Sequence, residues 1–230
     1  MSQLSKKKEV GRRGEATQRR LLQAAEQLFA VRGFAGATMR EVAKAARANV
    51  AATHYHFGSK EGLVLEMLRQ RIAPINAERL RMLDKAKNEA EGKPLKPTVI
   101  FEALLLPLGR AATRGEGPDS RFMQLVGRSF TEPANFLEQV HRRLFRELGA
   151  VFIAELRRSH PEATEEGLFW NLHFVVAAML GALAQHRRVA PFSGGLCDDK
   201  DIRGMIRRLV TFVEGGFEAG IEKAKSKAKQ

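Results

Sequence analysis

TMREVAKAARANVAATHYHFGSKEGL, residues 38–63, carries the densest set of helix starts and stops in the chain. Thr38 and Glu41 have the T-x-x-E spacing of a capping box, which predicts a helix starting at residue 39. Val42, Ala43 and Ala46 give that helix one small apolar face. Asn49 stands where it can cap a second short helix, running to about His56. Gly58 and Ser59 then end it and open a third. Two short helices joined by a tight connection are the pattern of a helix-turn-helix. The second helix has little to bury before Phe57 and offers Asn49, Thr53, His54, Tyr55 and His56 instead. A helix so poor in apolar side chains is expected to face something polar.

The charge around this stretch points the same way. The 230-residue chain carries a net charge of +13. Residues 1–60 hold 12 Lys and Arg against 4 Asp and Glu, whereas residues 61–230 hold 27 against 22. The first quarter therefore carries most of the excess, the electrostatic footprint of a polyanion binder. The length suffices for one or two domains with a real core. Cys197 is the one cysteine, so no intramolecular disulfide is possible, and a reduced, cytoplasmic location is expected. The basic N-terminus lacks the apolar stretch of a signal peptide. The longest near-apolar run, 174–184, is shorter than the ~20 residues of a membrane span, so it reads as a buried helix and no membrane partner is expected.

Upstream, residues 1–14 read as a disordered basic arm, in which Arg12 and Arg13 could reach phosphate or a minor groove. Leu21, Leu22, Ala25, Leu28 and Phe29 form one stripe of a helix over about 16–32, which Gly33 stops. Phe34 and Phe57 are expected to close this small core. Downstream, Ser59 caps a long helix to about residue 90, with Pro74 inside it as a kink or break and its basic residues, Arg79 among them, on solvated faces. A linker at 91–98 precedes helices over about 98–114, 119–130, 133–158, 164–188 and 199–224. The fold expected is all-α. An arm (1–14) precedes a helix-turn-helix domain (15–60), a helical ligand-binding and dimerisation domain (61–225) and a basic tail (226–230).

The signatures of catalysis are missing. No histidine pair has metal-ligand spacing with a Glu between, and there is no Cys-x-x-Cys, Walker loop, G-x-G-x-x-G or G-x-S-x-G. No metal, no cofactor and no enzymatic activity are expected.

HYHFGSKEGL at 54–63, behind TMREVAKAA at 38–46, resembles the DNA-binding domain of TetR-type transcriptional regulators, and the likeness extends over roughly 16–70. Arg47 stands where that family usually has Gly, and His54 replaces the first aromatic of its usual run. The resemblance implies a homodimer that binds a double-stranded DNA operator and is released from it by a small apolar or amphipathic effector. Its expected DNA contacts are Thr38, Arg40, Asn49, Val50, Ala51, Thr53, His54, Tyr55, His56 and Lys60. Lys60, Tyr55 and His56 would touch phosphate; Asn49 would either read an adenine edge or act only as a cap. The expected effector pocket draws on Phe101, Leu105, Met123, Phe130, Phe152 and Phe174. The last two long helices, wide in apolar surface and rich in small residues, would pair across the dimer through Val176, Leu180, Gly181, Ala184, Leu209, Phe212, Val213 and Phe217. The form NVAATHYHFGSK looks like a branch that includes fatty-acid-responsive repressors. The competing reading is a helical binding protein for an apolar metabolite without specific DNA recognition.

Overall fold

The computed structural model describes residues 3–113, 125–129, 132 and 135–228, and the side chains of all of these except 3–12, 135–136 and 223–228. Among the described residues all regular structure is helical. The helices are α1 (Gln3–Arg32), α2 (Met39–Ala45), α3 (Val50–Phe57), α4 (Lys60–Glu89), α5 (Pro97–Thr113), a segment over 125–129 (α6), α7 (Asn135–Ser159), α8 (Glu165–Gln185), α9 (Val189–Phe192) and α10 (Ile202–Ala228). A 3-10 turn, His186–Arg188, joins α8 to α9.

The chain packs as two compact units. The first comprises Met1–Ile72 and Gln124–Arg143, so it extends past residue 60 and takes in a segment from much later in the sequence. Its core is the stripe read from α1, with Leu21, Ala25 and Phe29 wholly buried, against Phe34, Val42, Ala43, Leu63 and Val64. Each large side chain buried there stabilises the unit by about 1.5–3 kcal/mol. Phe29 and Phe34 touch with ring centroids 5.6 Å apart; Phe57 is only half-buried. Gly33 ends α1 in the left-handed conformation, φ 77°, with its N–H donating to the Phe29 carbonyl at 2.9 Å. The helix starts at Gln3, where the sequence suggested an arm up to residue 14; Lys and Glu are good helix formers and let α1 run through Gly11 and Gly14.

The second unit comprises Ala73–Met123 and Leu144–Gln230. In it α10 packs against both α5 and α8. Phe101 of α5 meets Phe217 of α10 edge to face, centroids 5.5 Å apart and planes at 79°. Pro74 does not break α4, which continues through it with the ring exposed. Arg79 is not on a solvated face: it is buried, donating from Nε to the Leu104 carbonyl at 2.8 Å and from Nη1 to Asn76 Oδ1 at 2.9 Å. Burial without a carboxylate partner among these contacts pushes its guanidinium down to about 10.

The helix around 174–184 is only partly buried within one chain. Glu165–Phe192 is long and apolar enough to cross a bilayer by length and composition, and only 22% of that apolar window is buried. The helix read as buried therefore leaves much of its apolar surface uncovered in a single chain. Phe169, Trp170 and Phe174 are 53%, 54% and 58% exposed. The long 133–158 helix is described from Asn135, and Pro133, together with residues 114–124 around its predecessor, lies outside the described residues.

Candidate nucleic-acid interface

The capping box at the start of α2 is complete. The Thr38 hydroxyl accepts from the Glu41 N–H at 3.2 Å, and the Glu41 carboxylate accepts from the Thr38 N–H at 2.8 Å. These bonds, with Arg32 2.7 Å away, hold the Glu41 carboxyl below its ordinary value, the Thr38 backbone contributing most. After α2, Arg47 adopts φ 50°, the left-handed turn that a glycine would take without strain. A non-glycine residue there costs ~1–2 kcal/mol. The turn survives because both flanks are fixed: Ala48 N–H donates to the Ala43 carbonyl at 2.9 Å, and Asn49 opens α3.

Asn49 Oδ1 accepts from the Ala51 N–H at 3.0 Å, so the side chain is used as a cap. Gly58, φ 70°, closes α3, its N–H on the His54 carbonyl at 2.8 Å. His54 Nδ1 lies 3.0 Å from the Gly58 carbonyl. A carbonyl only accepts, so that nitrogen carries the proton in this contact.

Among the residues of α3 only Thr53 is buried. This corrects its expected role: Thr53 is fully inside, its hydroxyl without a hydrogen-bond partner, and it anchors the helix rather than reaching out. Ala51, His54 and Tyr55 are exposed, Tyr55 to 87%, while Val50 and His56 are half-buried. Tyr55 and His56 sit edge to face, 5.3 Å between centroids. Arg40, Lys44 and Arg47 are exposed on and just after α2, and Thr38 lies exposed at its start. Lys60 opens α4 beside Ser59, whose hydroxyl accepts from the Gly62 N–H at 3.1 Å; the Lys60 ammonium lies 3.4 Å from the Ala35 carbonyl. The result is a solvent-facing helix with polar side chains, with Arg40, Lys44 and Arg47 before it in the chain and Lys60 after it. Arg128 and Glu132, whose side chains grip the corner before α2, escaped the sequence reading, because no local signal links them to it.

The residues expected to line an effector pocket differ in burial. Phe101, Leu105 and Phe152 are wholly buried within the second unit, whereas Phe174 is exposed on α8. Met123 and Phe130 lie outside the described residues. A groove of about 750 Å³ runs between α5 and α10, lined by Leu106, Ile206 and Val210 together with Glu102, Arg110, Arg203 and Arg207. The expected dimer residues divide. Leu209, Val213 and Phe217 are buried within the chain itself, Phe212 is 73% exposed, Ala184 is exposed, and Val176, Leu180 and Gly181 are half-buried.

Comparison with known proteins agrees with this architecture. Residues 21–67 match the family described as bacterial regulatory proteins, tetR family, and residues 102–216 match the tetracyclin repressor-like C-terminal domain. Among solved structures, the fold is similar to that of the fatty acid degradation regulator FadR from Bacillus halodurans (TM-score 0.57, 11% identity, covering 86% of this chain and 97% of that one). It is also similar to a transcriptional regulator from Rhodococcus sp. Rha1 (TM-score 0.55, 21% identity, 86% and 96% covered). HlyIIR, a hemolysin II transcriptional regulator, is a third such structure (TM-score 0.53, 18% identity, 86% and 98% covered). No curated protein matches the sequence.

Proposed function

Since the chain belongs to the TetR family of bacterial regulatory proteins, we propose that it is a homodimeric transcriptional repressor, released from its operator by a small amphipathic effector. The observation that carries the DNA half is α3: an eight-residue helix with one buried side chain, capped at both ends, leaving His54 and Tyr55 outward amid Arg40, Lys44, Arg47 and Lys60. A helix that buries so little is held in place by its caps and neighbours and is free to enter a major groove. Tyr55, His56 and the lysines then meet phosphate and fix register, while base edges are left to Val50, Ala51 and His54. Asn49 serves as the cap that fixes their approach.

The exposed apolar face of α8 supports the dimer. Trp170 and Phe174 stack at 5.6 Å, with Phe169 beside them and Phe212 exposed on the adjacent α10. Patches of this kind on a soluble protein mark an interaction site, and a second copy covers the same face on both partners. The protein then works in the cytoplasm, with no membrane partner. The α5–α10 groove supports the effector: its lining mixes Leu106, Ile206 and Val210 with three arginines, Arg110, Arg203 and Arg207, against one carboxylate, Glu102, and this basic excess favours a ligand with an apolar body and an acidic group over a wholly apolar one. Such a ligand releases DNA only if it binds the released conformation more tightly.

The deciding experiment is selection of duplexes from a random pool by the full-length protein, followed by binding in the presence of candidate acids. Enrichment of a palindromic sequence with half-sites about a helical turn or more apart supports the reading. Recovery of no sequence above background, with folded protein, refutes it.

A further inference from the structure

We propose that Glu132, held in place by Arg128, is a positioning residue for DNA binding: its carboxylate fixes the corner between α1 and α2 from which the helix-turn-helix is carried. The inference rests on the DNA-binding reading above, but its geometry stands apart from the 38–63 motif. Beyond the C-terminus of a helix the chain has lost its helical hydrogen-bond partners. Here α1 ends at Arg32, Gly33 turns with φ 77°, and Phe34 is fully buried. The Phe34 N–H donates to Glu132 Oε2 at 2.7 Å, across 98 positions of sequence. The other carboxylate oxygen, Oε1, accepts from Arg128 Nη1 at 2.7 Å, and Arg128 Nη2 donates to the Val31 carbonyl at 3.3 Å. One carboxylate–guanidinium pair therefore grips both a carbonyl in the last turn of α1 and the N–H that follows its end.

Three features separate this from a routine surface ion pair. The Glu132 and Arg128 side chains are 19% and 37% exposed, so solvent and salt screen the pair less than a fully exposed one. Both contacts to the corner are hydrogen bonds from or to a charged group, the stronger kind. The carboxylate also needs an empty place at residue 33, because a β-carbon on Gly33 would come within 2.4 Å of Oε1. Gly33 thus both supplies the left-handed turn and opens the seat. Without Glu132 the Phe34 N–H loses its acceptor in a buried position, and the corner is free to adopt other arrangements. DNA affinity then falls by the fraction of molecules that keep the competent one.

The test uses the full-length protein, a duplex selected by the wild type from a random pool, and the variants Glu132→Ala, Glu132→Gln and Arg128→Met. Glu132→Ala should weaken duplex binding about tenfold or more. Amide hydrogen exchange should show the Phe34 N–H losing protection while amides of α5 and α10 keep theirs. Glu132→Gln retains an acceptor for Phe34 and should stay within about threefold of wild type, with Arg128→Met between the two. Wild-type affinity and wild-type Phe34 exchange in Glu132→Ala would overturn the proposal. So would equal losses in the Ala and Gln variants accompanied by loss of protection throughout the chain, which would mark a general stability effect. A wild-type chain that selects no duplex removes the DNA reading and this proposal together, whereas Phe34 exchange without DNA still reports whether the clamp exists.

Discussion

Gly109 of α5 meets Ile206 of α10 with no room for a side chain: a β-carbon on Gly109 would lie 2.7 Å from Ile206 Cγ1. The Ile206 side chain packs directly on α5 at that glycine, and the groove that we assign to the effector opens along the same seam. Gly109→Ala gains up to ~1 kcal/mol of helix propensity but must displace a packed isoleucine, at about 1–3 kcal/mol. A net loss of about 1 kcal/mol in denaturant unfolding is expected. The loss should shrink in an Ile206→Ala background, and an additive pair would refute the contact as its cause.

Asn49 separates a cap from a base reader. Its Oδ1 is engaged by the Ala51 N–H, so Asn49→Ala should cost ~1 kcal/mol of stability and weaken operator binding with it. Asn49→Ser, which caps about as well, should restore both. Operator affinity that stays low in a fully stable Asn49→Ser protein would assign the side chain to a base instead.

Lys60 tests the placement of α3 on DNA. Among the described residues its ammonium has one hydrogen-bond partner, the Ala35 carbonyl at 3.4 Å, and so remains available to a phosphate. Lys60→Ala should weaken specific and random duplexes alike and reduce the log–log salt slope by about one unit. An unchanged slope would mean that this helix start does not touch the backbone of the duplex.

The capping box should make stability depend on acid pH. The Glu41 carboxyl is held below 4.5 in the folded chain, chiefly by the Thr38 N–H. A carboxyl whose folded value is depressed adds stability above its unfolded value and loses it as pH falls through the folded one. Tm should therefore drop more steeply for wild type than for Glu41→Gln, which keeps the box geometry without titrating, between about pH 5 and about pH 3. Parallel curves would show that the box contributes no such linkage.

Gly181 reports on the second copy. A β-carbon added there meets nothing within 4 Å among the described residues of one chain, so Gly181→Arg should leave the protomer fold and its helical signal intact. It should nonetheless convert a dimer to a monomer by light scattering at micromolar concentration. A wild-type chain that is already monomeric would rule out the dimer and leave the Trp170–Phe174 face needing another cover.

Whatever depends on a few consecutive residues could be read without coordinates. The T-x-x-E box, the Asn49 cap, the left-handed stop at Gly33 and the stripe of α1 are local: each is closed by bonds spanning at most five positions, so residue type and spacing suffice to define it. Apolar periodicity likewise announced that α10 buries a face, but not against what. Leu209, Val213 and Phe217 turn inward, toward the same chain, while Phe212 on the same helix stays out, and only packing against α5 and α8 makes that division. The same limit applies to Phe101, drawn into the core by Phe217, to Arg79, taken out of solvent by the Leu104 carbonyl, and to Glu132, brought to Phe34 from 98 positions away. Hydrophobicity is non-directional, and a long-range hydrogen bond leaves no mark on the residues between its ends, so these partners were decided by tertiary structure alone.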